Sequence, residues 1–184
     1  MTTATAPSGT RTTWKLDPSH TTIEFVAKHM MITTVKGRFA ELEGTIAADE
    51  ADFENSQVEA TLKTASLDTR VDQRDTHLKS ADFLDVENHP DVTFRSTSIS
   101  GAKEHFKLTG DLTIRGTTRP ITLDVTFEGT GKDPWGGTRS SFSAKGKIDR
   151  RDYGLTWNVA LETGGILVSN EIKINIEAQA VLQG

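Results

Sequence analysis

Apolar and polar residues alternate with a period of two along most of the chain from Trp14 onward. In residues 106–115, every second residue is apolar or glycine, and the residues between them are Lys, Thr, Asp or Arg. This alternation places one face of a strand in a core and the other in water, which is typical of antiparallel sheets. Eight such runs are separated by turn residues and predict eight strands, at residues 14–29, 33–48, 56–66, 91–100, 104–115, 119–130, 138–149 and 168–182.

Several stretches depart from the alternation. The phase slips between Phe39 and Leu42, which predicts a bulge. Residues 69–84 predict one short helix between the third and fourth strands, capped by Asp68 or Thr69. Residues 150–170 predict a long connection before the last strand, part turn and part short helix. Residues 1–13 are small and polar and predict a disordered lead, so that one domain spans residues 14–184.

The lengths of the strands indicate how the sheet hides its edges. Antiparallel sheets of this size either pack as a two-sheet sandwich or close into a barrel. Several runs cover 10–14 residues, which at ~3.3 Å per residue gives roughly 35–45 Å. That is too tall for a compact sandwich of this mass. The sequence therefore predicts an all-β fold, an eight-stranded antiparallel barrel whose apolar faces point inward.

Several inward positions carry very small side chains, and two interpretations are open. Glycine and alanine relieve crowding where strands of a small barrel cross, or they leave the lumen unfilled so that it holds a slim ligand. The height of the barrel favours a ligand that is long, thin and apolar. The positions are Ala27, Gly44, Ala60, Gly110, Ala144, Gly146, Ala178 and Ala180.

Charge and composition exclude several classes of function. With 26 acidic against 21 basic side chains and a net charge of −5, the chain is not expected to bind nucleic acid. The absence of cysteine excludes disulfides, a thiol nucleophile and Cys-ligated metals. No apolar run reaches the ~18–20 residues of a membrane-spanning helix. Residues 1–13 lack the segments of a secretory signal, so we expect a cytoplasmic protein, periplasmic only if a leader had been removed.

Candidate catalytic chemistry is sparse. The five histidines lack the spacing of a metal site, and no nucleophile elbow, phosphate loop or dinucleotide motif is present. One charged cluster could serve acid–base chemistry, although such a set is more often a helix cap with surface ion pairs. Its members are Asp68, Arg70, Asp72, Arg74, Asp75 and His77. We therefore expect no enzyme, no catalytic residue, no metal and no cofactor.

Five blocks of sequence, in the same order, resemble the YceI-like polyisoprenoid-binding family. They are WKLDPSHTTIEF at 14–25, VKGRF at 35–39, residues 55–86, LTGDLTIRGTTRP at 108–120, and residues 143–155 with 171–173. The resemblance implies a lipocalin-like barrel that holds a polyisoprenoid chain, as a quinone or a polyprenyl phosphate, and pairs as a homodimer. From residues 1–13 we expect no secretory leader of the kind that the best-known members carry, and no catalytic residues carry over.

The alternation and the resemblance agree on the lumen as the binding site. Twelve residues are predicted to line the lipid chain: Phe25, Leu62, Phe94, Leu108, Leu112, Ile114, Val125, Phe127, Phe142, Ile148, Ile174 and Ile176. Because the apolar faces carry almost no cations, a neutral quinone-like head, or a charged head left at the mouth, fits better. Trp14, Trp135 and Trp157 are expected to fill the rim or core, or to meet the head at a barrel mouth.

The expected function is non-enzymatic binding, storage or transport of a long-chain isoprenoid lipid. Two alternatives remain open: a stress-related structural or interaction protein whose lumen is packed by its own side chains, and an isoprenoid-modifying enzyme that uses the Asp68–His77 cluster. The expected partners are the isoprenoid lipid, a second copy of the chain and, transiently, a membrane.

Overall fold

A computed structural model describes residues 10–184, and most of these residues lie in β-strands. The predicted disorder of residues 1–9 lies outside the described residues. The elements are β1 (Arg11–Leu16), β2 (Thr22–His29), β3 (Thr33–Phe39), β4 (Leu42–Asp49), β5 (Gln57–Lys63), β6 (Leu67–Asp68), α1 (Asp72–Lys79), β7 (Asp91–Gly101), β8 (His105–Ile114), β9 (Thr117–Lys132), β10 (Thr138–Asp149) and β11 (Glu171–Leu182).

The eleven strands of the described residues fill eight positions of one closed antiparallel barrel. Three positions hold two strands each, because a short turn interrupts the long strands β1–β2, β3–β4 and β5–β6. Each position pairs with the next along the chain. The ring closes where β11 pairs with β1, with Ala180 opposite Leu16, and with β2, with Ile174 opposite Phe25. The predicted eight-stranded antiparallel barrel is confirmed.

The first two predicted strands, at residues 14–29 and 33–48, are not continuous, because each is divided into two shorter strands. Between β1 and β2, Pro18–His20 form a 3₁₀ turn, and the Asp17 side chain accepts a hydrogen bond from the Ser19 N–H. This turn shifts the inward phase, so that Leu16 and Phe25 both line the cavity. The bulge predicted between Phe39 and Leu42 is instead a complete break, because β3 pairs with β2 whereas β4 pairs with β1.

Some predicted boundaries and the predicted helix cap are also wrong. β1 begins at Arg11, inside the predicted disordered lead, because residues 11–13 pair with β4. The helix begins at Asp72, and neither Asp68 nor Thr69 caps it. Instead, the Asp75 carboxylate on the first turn of the helix accepts a hydrogen bond from the Thr69 N–H at 2.9 Å.

The connections sort to the two ends of the barrel. The end that carries α1 also carries the β2–β3 turn, the β8–β9 turn and the long β10–β11 connection, and we call it the helix end. The opposite end carries the β4–β5, β7–β8 and β9–β10 connections. Because β6 pairs only with β3, the segment that contains α1 fills the space between β6 and β7 at the helix end.

The inward glycines lie beneath large side chains of neighbouring strands. A β-carbon at Gly44 would lie 2.5 Å from Cδ1 of Leu16, and one at Gly146 would lie 2.5 Å from Cδ2 of Leu123. At Gly110 it would lie 2.6 Å from the Arg95 carbonyl oxygen, beside the Phe94 ring. For the glycines, the crowding interpretation is therefore correct.

Replacing Gly110 by alanine is expected to destabilise the barrel by about 1–3 kcal/mol, because the added methyl group overlaps backbone as well as a ring. Gly131→Ala is the matched control, since nothing lies within 4 Å of the position that its β-carbon would take, and its stability should be unchanged or slightly raised. Urea unfolding of both variants measures the difference. Equal midpoints would contradict the packing assigned to Gly110.

Candidate functional site

The barrel encloses an apolar cavity of about 1160 Å³, larger than the ~300–1,000 Å³ typical of small-molecule pockets. All twelve residues predicted to line a lipid lie on its wall, and their contact with a ligand stays a prediction. They are Phe25 on β2, Leu62 on β5, Phe94 on β7, Leu108, Leu112 and Ile114 on β8, Val125 and Phe127 on β9, Phe142 and Ile148 on β10, and Ile174 and Ile176 on β11.

The wall also holds apolar residues that the prediction left out. They include Trp14, Leu16, Ile46, Val58, Ile99, Phe106 and Leu123. The alternation already marked Phe106 and Leu123 as inward, whereas the break at Pro18–His20 hid Trp14 and Leu16. On β7, a register shift between Ser96 and Ser98 moves the inward set from even to odd numbers, which brings Ile99 to the wall.

The inward alanines divide differently from the glycines. Ala27, Ala60, Ala144 and Ala178 lie on the cavity wall, where their small side chains leave the lumen wide. Ala180, by contrast, is fully buried and is not part of the wall. The two interpretations of small inward residues thus apply to different residues, with crowding relieved at the glycines and space left at the four alanines of the wall.

Aromatic rings line the opposite end of the cavity. Phe53 packs edge-on to Phe106 with ring centroids 5.8 Å apart, and Phe127 packs against Phe142 at 5.4 Å. Trp14 also lies on the wall at this end, and its Nε1–H donates to a threonine hydroxyl. Trp135, expected at the rim or in the core, is instead 85% exposed on the β9–β10 connection.

Three aromatic rings pack against one another at the helix end. His77 on α1 lies edge-on to Trp157 with centroids 4.5 Å apart and to Phe83 at 5.1 Å. Phe83 and Trp157 are themselves 5.4 Å apart. All three line the cavity. Trp157 therefore lies at a barrel mouth, which is one of the two positions expected from the sequence; its contact with a ligand head stays a prediction.

A buried arginine fastens the long connection across the same end. Arg150 comes directly after the last residue of β10, and its side chain donates to four backbone carbonyls at 2.6–3.3 Å. These carbonyls belong to Leu155, Trp157, Val168 and Ser169. Arg150 is only 3% exposed, and this burial lowers the pKa of its guanidinium from the usual value. It pairs with no carboxylate among residues 10–184.

The charged cluster from Asp68 to His77 does not assemble into one site. Asp68 accepts from the Arg70 N–H and lies 3.7 Å from Arg38. The Asp75 carboxylate accepts a hydrogen bond from the Thr69 N–H. Arg74 donates to the hydroxyl and the carbonyl of the same threonine. Of the predicted cluster, Arg74 and His77 reach the cavity wall. The partner of His77 is Asp82, outside the cluster, at 2.9 Å from Nε2.

No periodic signal in the sequence marks the helix-end residues. Phe83, Arg150 and Trp157 lie in segments without alternation, so inward and outward positions could not be assigned there. In residues 10–184, no three His, Asp or Glu side chains come close enough to hold a metal ion. No helix of that part of the chain is long and apolar enough to cross a membrane.

Comparison with known proteins finds relatives over almost the whole chain. A family model described as YceI-like domain matches residues 14–180. A UPF0312 protein of Staphylococcus aureus (strain bovine RF122 / ET3-1) is 36% identical over 169 residues, which cover 91% of this chain and 96% of the relative.

Two solved structures are similar to the barrel. The Campylobacter jejuni YCEI protein has a TM-score of 0.73 at 34% identity, covering 85% of this chain and 90% of its own. A polyisoprenoid binding domain from Saccharophagus degradans, implicated in plant cell wall breakdown, has a TM-score of 0.62 at 14% identity. The alignment covers 91% of this chain and 97% of that domain, and at this identity it shows the shared fold alone.

Replacing Arg150 by methionine is expected to cost about 2–4 kcal/mol of stability, because buried carbonyls lose their donors. Hydrogen exchange should speed up most in residues 155–169. Arg151→Met is the matched control, since that side chain is 56% exposed and pairs with Asp149 at the surface. Urea unfolding and hydrogen exchange measure both effects, and equal losses in the two variants would contradict the fastening role.

Proposed function

The chain belongs to the YceI-like domain family, and from that premise we propose that it binds a long-chain isoprenoid lipid in the barrel lumen. The binding is non-enzymatic and serves storage or transport of the lipid. The observation that carries the proposal is the apolar cavity of about 1160 Å³, whose wall is built from the inward faces of the strands. The polyisoprenoid binding domain from Saccharophagus degradans, which has the same fold, supports this class of ligand.

The shape of the lumen fits a long, slim and apolar molecule. β10 and β11 each run for 12 residues, which gives a barrel about 30 Å tall once strand tilt is included. The central wall consists of Leu, Ile, Val, Phe and Ala side chains. An isoprenoid chain placed there removes its surface from water at roughly 25 cal/mol per Å², and it needs no hydrogen-bond partner.

The two alternative functions have less support. A self-packed lumen requires side chains that fill the barrel, whereas those of residues 10–184 leave a large cavity. An enzyme that uses the Asp68–His77 cluster requires these groups to face one reacting atom. Asp68 and Asp75 instead accept hydrogen bonds from backbone and threonine groups, and His77 pairs with Asp82, outside the cluster. Homodimer pairing and a cytoplasmic location stay predictions from the sequence.

We also infer a transient membrane contact at the helix end. Six large apolar side chains are exposed in residues 10–184, and five belong to segments at this end: Met30, Met31, Ile32, Val71 and Val159. Met30 and Met31 adopt left-handed backbone angles (φ 53° and 66°), which are costly for residues other than glycine. The Met30 N–H donates to the carbonyl of Leu167, a cavity residue, so the turn adjoins the lumen.

Filling the lumen should remove the lipid. Ala144→Trp places a large ring on the cavity wall, whereas Lys145→Trp, its neighbour on β10, places the same ring on the exposed face. After purification from the native host and organic extraction, mass spectrometry should find a prenyl lipid with the wild type and with Lys145→Trp. Ala144→Trp should retain about tenfold less, a difference of about 1.4 kcal/mol. Equal lipid in both variants would contradict the proposed site.

The membrane contact makes a separate kinetic prediction. The double variant Met31→Ser, Ile32→Ser should transfer a prenyl lipid from phosphatidylcholine–phosphatidylglycerol vesicles about tenfold more slowly, because it loses apolar surface that enters the bilayer. Its equilibrium affinity for the lipid in solution should be unchanged. The control is Trp135→Ser, which removes an exposed apolar side chain at the opposite end. Equal transfer rates for the two variants would exclude this docking surface.

A further inference from the structure

We infer that the lumen has a lateral lipid-entry site, a gap in the barrel wall between the free edge of β3 and α1, with α1 as its gate. The inference rests on the proposed function, because a prenyl chain crosses this gap only if the lumen binds it. It adds the route by which the chain passes from a bilayer into the lumen, and it assigns a role to the helix.

The gap begins where the pairing between β3 and β6 stops. Arg38 pairs with Asp68 and Phe39 with Leu67, and no other residue of β3 has a strand partner on this side within residues 10–184. If this antiparallel register continued, Val71 would lie opposite Val35. The edge of β3 over residues 33–36 is therefore free, although β2 pairs with the other side of β3 along this length.

A left-handed residue turns the chain away from the free edge. Arg70 has φ 66°, and its N–H donates to a carboxylate oxygen of Asp68 at 2.8 Å. This backbone conformation is costly for a residue other than glycine, and it cannot continue an extended strand. The chain therefore starts α1 at Asp72 and does not extend the sheet. The gap is thus a consequence of the conformation of Arg70.

Apolar side chains border the gap from the surface to the lumen. Val35 and Val71 both lie on the cavity wall, and Val71 is also nearly half exposed. Ile32, which is exposed, directly precedes the free edge of β3. The rings of Phe25 and Phe39 also lie on the wall, with centroids 5.9 Å apart. A prenyl chain that crosses here keeps its surface in contact with apolar groups.

α1 has few ties to the strands around it. None of its residues is buried. In the described part of the chain, its side-chain hydrogen bonds all stay within residues 69–82, and it forms no ion pair with a strand. Its contact with a distant segment is the edge-on packing of His77 on Trp157. A helix held in this way opens at a lower free-energy cost than the paired strands.

The segment that follows α1 is anchored, by contrast. Phe83 is buried, and its carbonyl accepts a hydrogen bond from Nη1–H of Arg115 at 2.9 Å. The hydroxyl of Thr64 donates to the carbonyl of His89 at 2.8 Å. Opening therefore moves α1 about the hinge at Arg70 while residues 83–90 stay in place.

The other route into the lumen runs through the helix-end mouth, which the long connection covers. That connection is fastened internally by the four hydrogen bonds of Arg150. It is also tied to β2, because the Met30 N–H donates to the Leu167 carbonyl and the Ser169 N–H donates to the Lys28 carbonyl. α1 has no such bond to a strand within residues 10–184 and is the weaker of the two covers, which favours lateral entry.

A removable staple across the gap tests the inference. The chain has no cysteine, so Val35→Cys with Val71→Cys gives a single pair, joined by a short bis-methanethiosulfonate that dithiothreitol cleaves. Phosphatidylcholine–phosphatidylglycerol vesicles loaded with geranylgeraniol supply the lipid, and sedimentation of the vesicles at set times measures uptake. The staple should slow uptake about tenfold or more and leave the amount bound at equilibrium unchanged. Cleavage should restore the rate of the unstapled double variant.

Arg38→Cys with Asp68→Cys is the matched control, since these two positions face each other where β3 and β6 are already paired. The same staple at this position should leave the rate of uptake unchanged. A loss of bound lipid at equilibrium in proportion to the loss of rate in the Val35–Val71 staple would show a distorted lumen and would overturn lateral entry.

Loosening the gate should have the opposite effect. His77→Ala removes the contact with Trp157 and should take up and release geranylgeraniol about threefold faster, with unchanged Kd. His105→Ala, at an exposed position outside the cavity wall at the opposite end, should match the wild type.

Two results overturn lateral entry while the proposed function stands: uptake at the unstapled rate by the stapled Val35–Val71 pair, and uptake by His77→Ala no faster than by His105→Ala. Absence of bound geranylgeraniol in the wild type at equilibrium rejects the proposed function as well.

Discussion

The closure of the barrel by β11 is the constraint on which the rest of the structure depends. An antiparallel sheet with two open edges leaves backbone donors and acceptors unpaired, and pairing β11 with β1 and β2 satisfies those along this seam. Once the ring is closed, every alternating strand turns its apolar face to the same enclosed space. The lumen is thus a consequence of closure. The size of the inward side chains decides how much of it stays open.

Small residues act on the packing of the wall and on the open space of the lumen in two ways. Where strands crowd one another, as at Gly44 and Gly146, the missing side chain lets a neighbouring leucine lie over the backbone. Where they do not crowd, as at Ala60 and Ala144, a small side chain leaves open space. The same composition that relieves strain in the wall therefore also keeps the cavity wide. Bulkier side chains at these inward positions would fill the core and leave no cavity.

The chemistry of the molecule lies at the ends of the barrel, in the connections. The strands supply an apolar wall that does not orient a ligand. The helix end supplies the ring group of His77, Phe83 and Trp157, the arginines and the exposed methionine turn. Arg150 links these features, because it holds the long connection in place and brings its charge to the cavity wall. Binding, orientation and exchange of a lipid would then be separate properties of separate segments.

The alternation in the sequence by itself determined the eight strand positions and the twelve inward residues that reach the cavity wall, since side-chain direction in a strand depends only on local backbone geometry. Tertiary structure decided the rest. The break at Pro18–His20, the pairing of residues 11–13 and the register shift near Ser96 depend on which strands lie alongside. His77, Phe83, Arg150 and Trp157 meet only because the closed barrel brings a helix and a distant connection to one end. No local period encodes a meeting of segments about 70 residues apart.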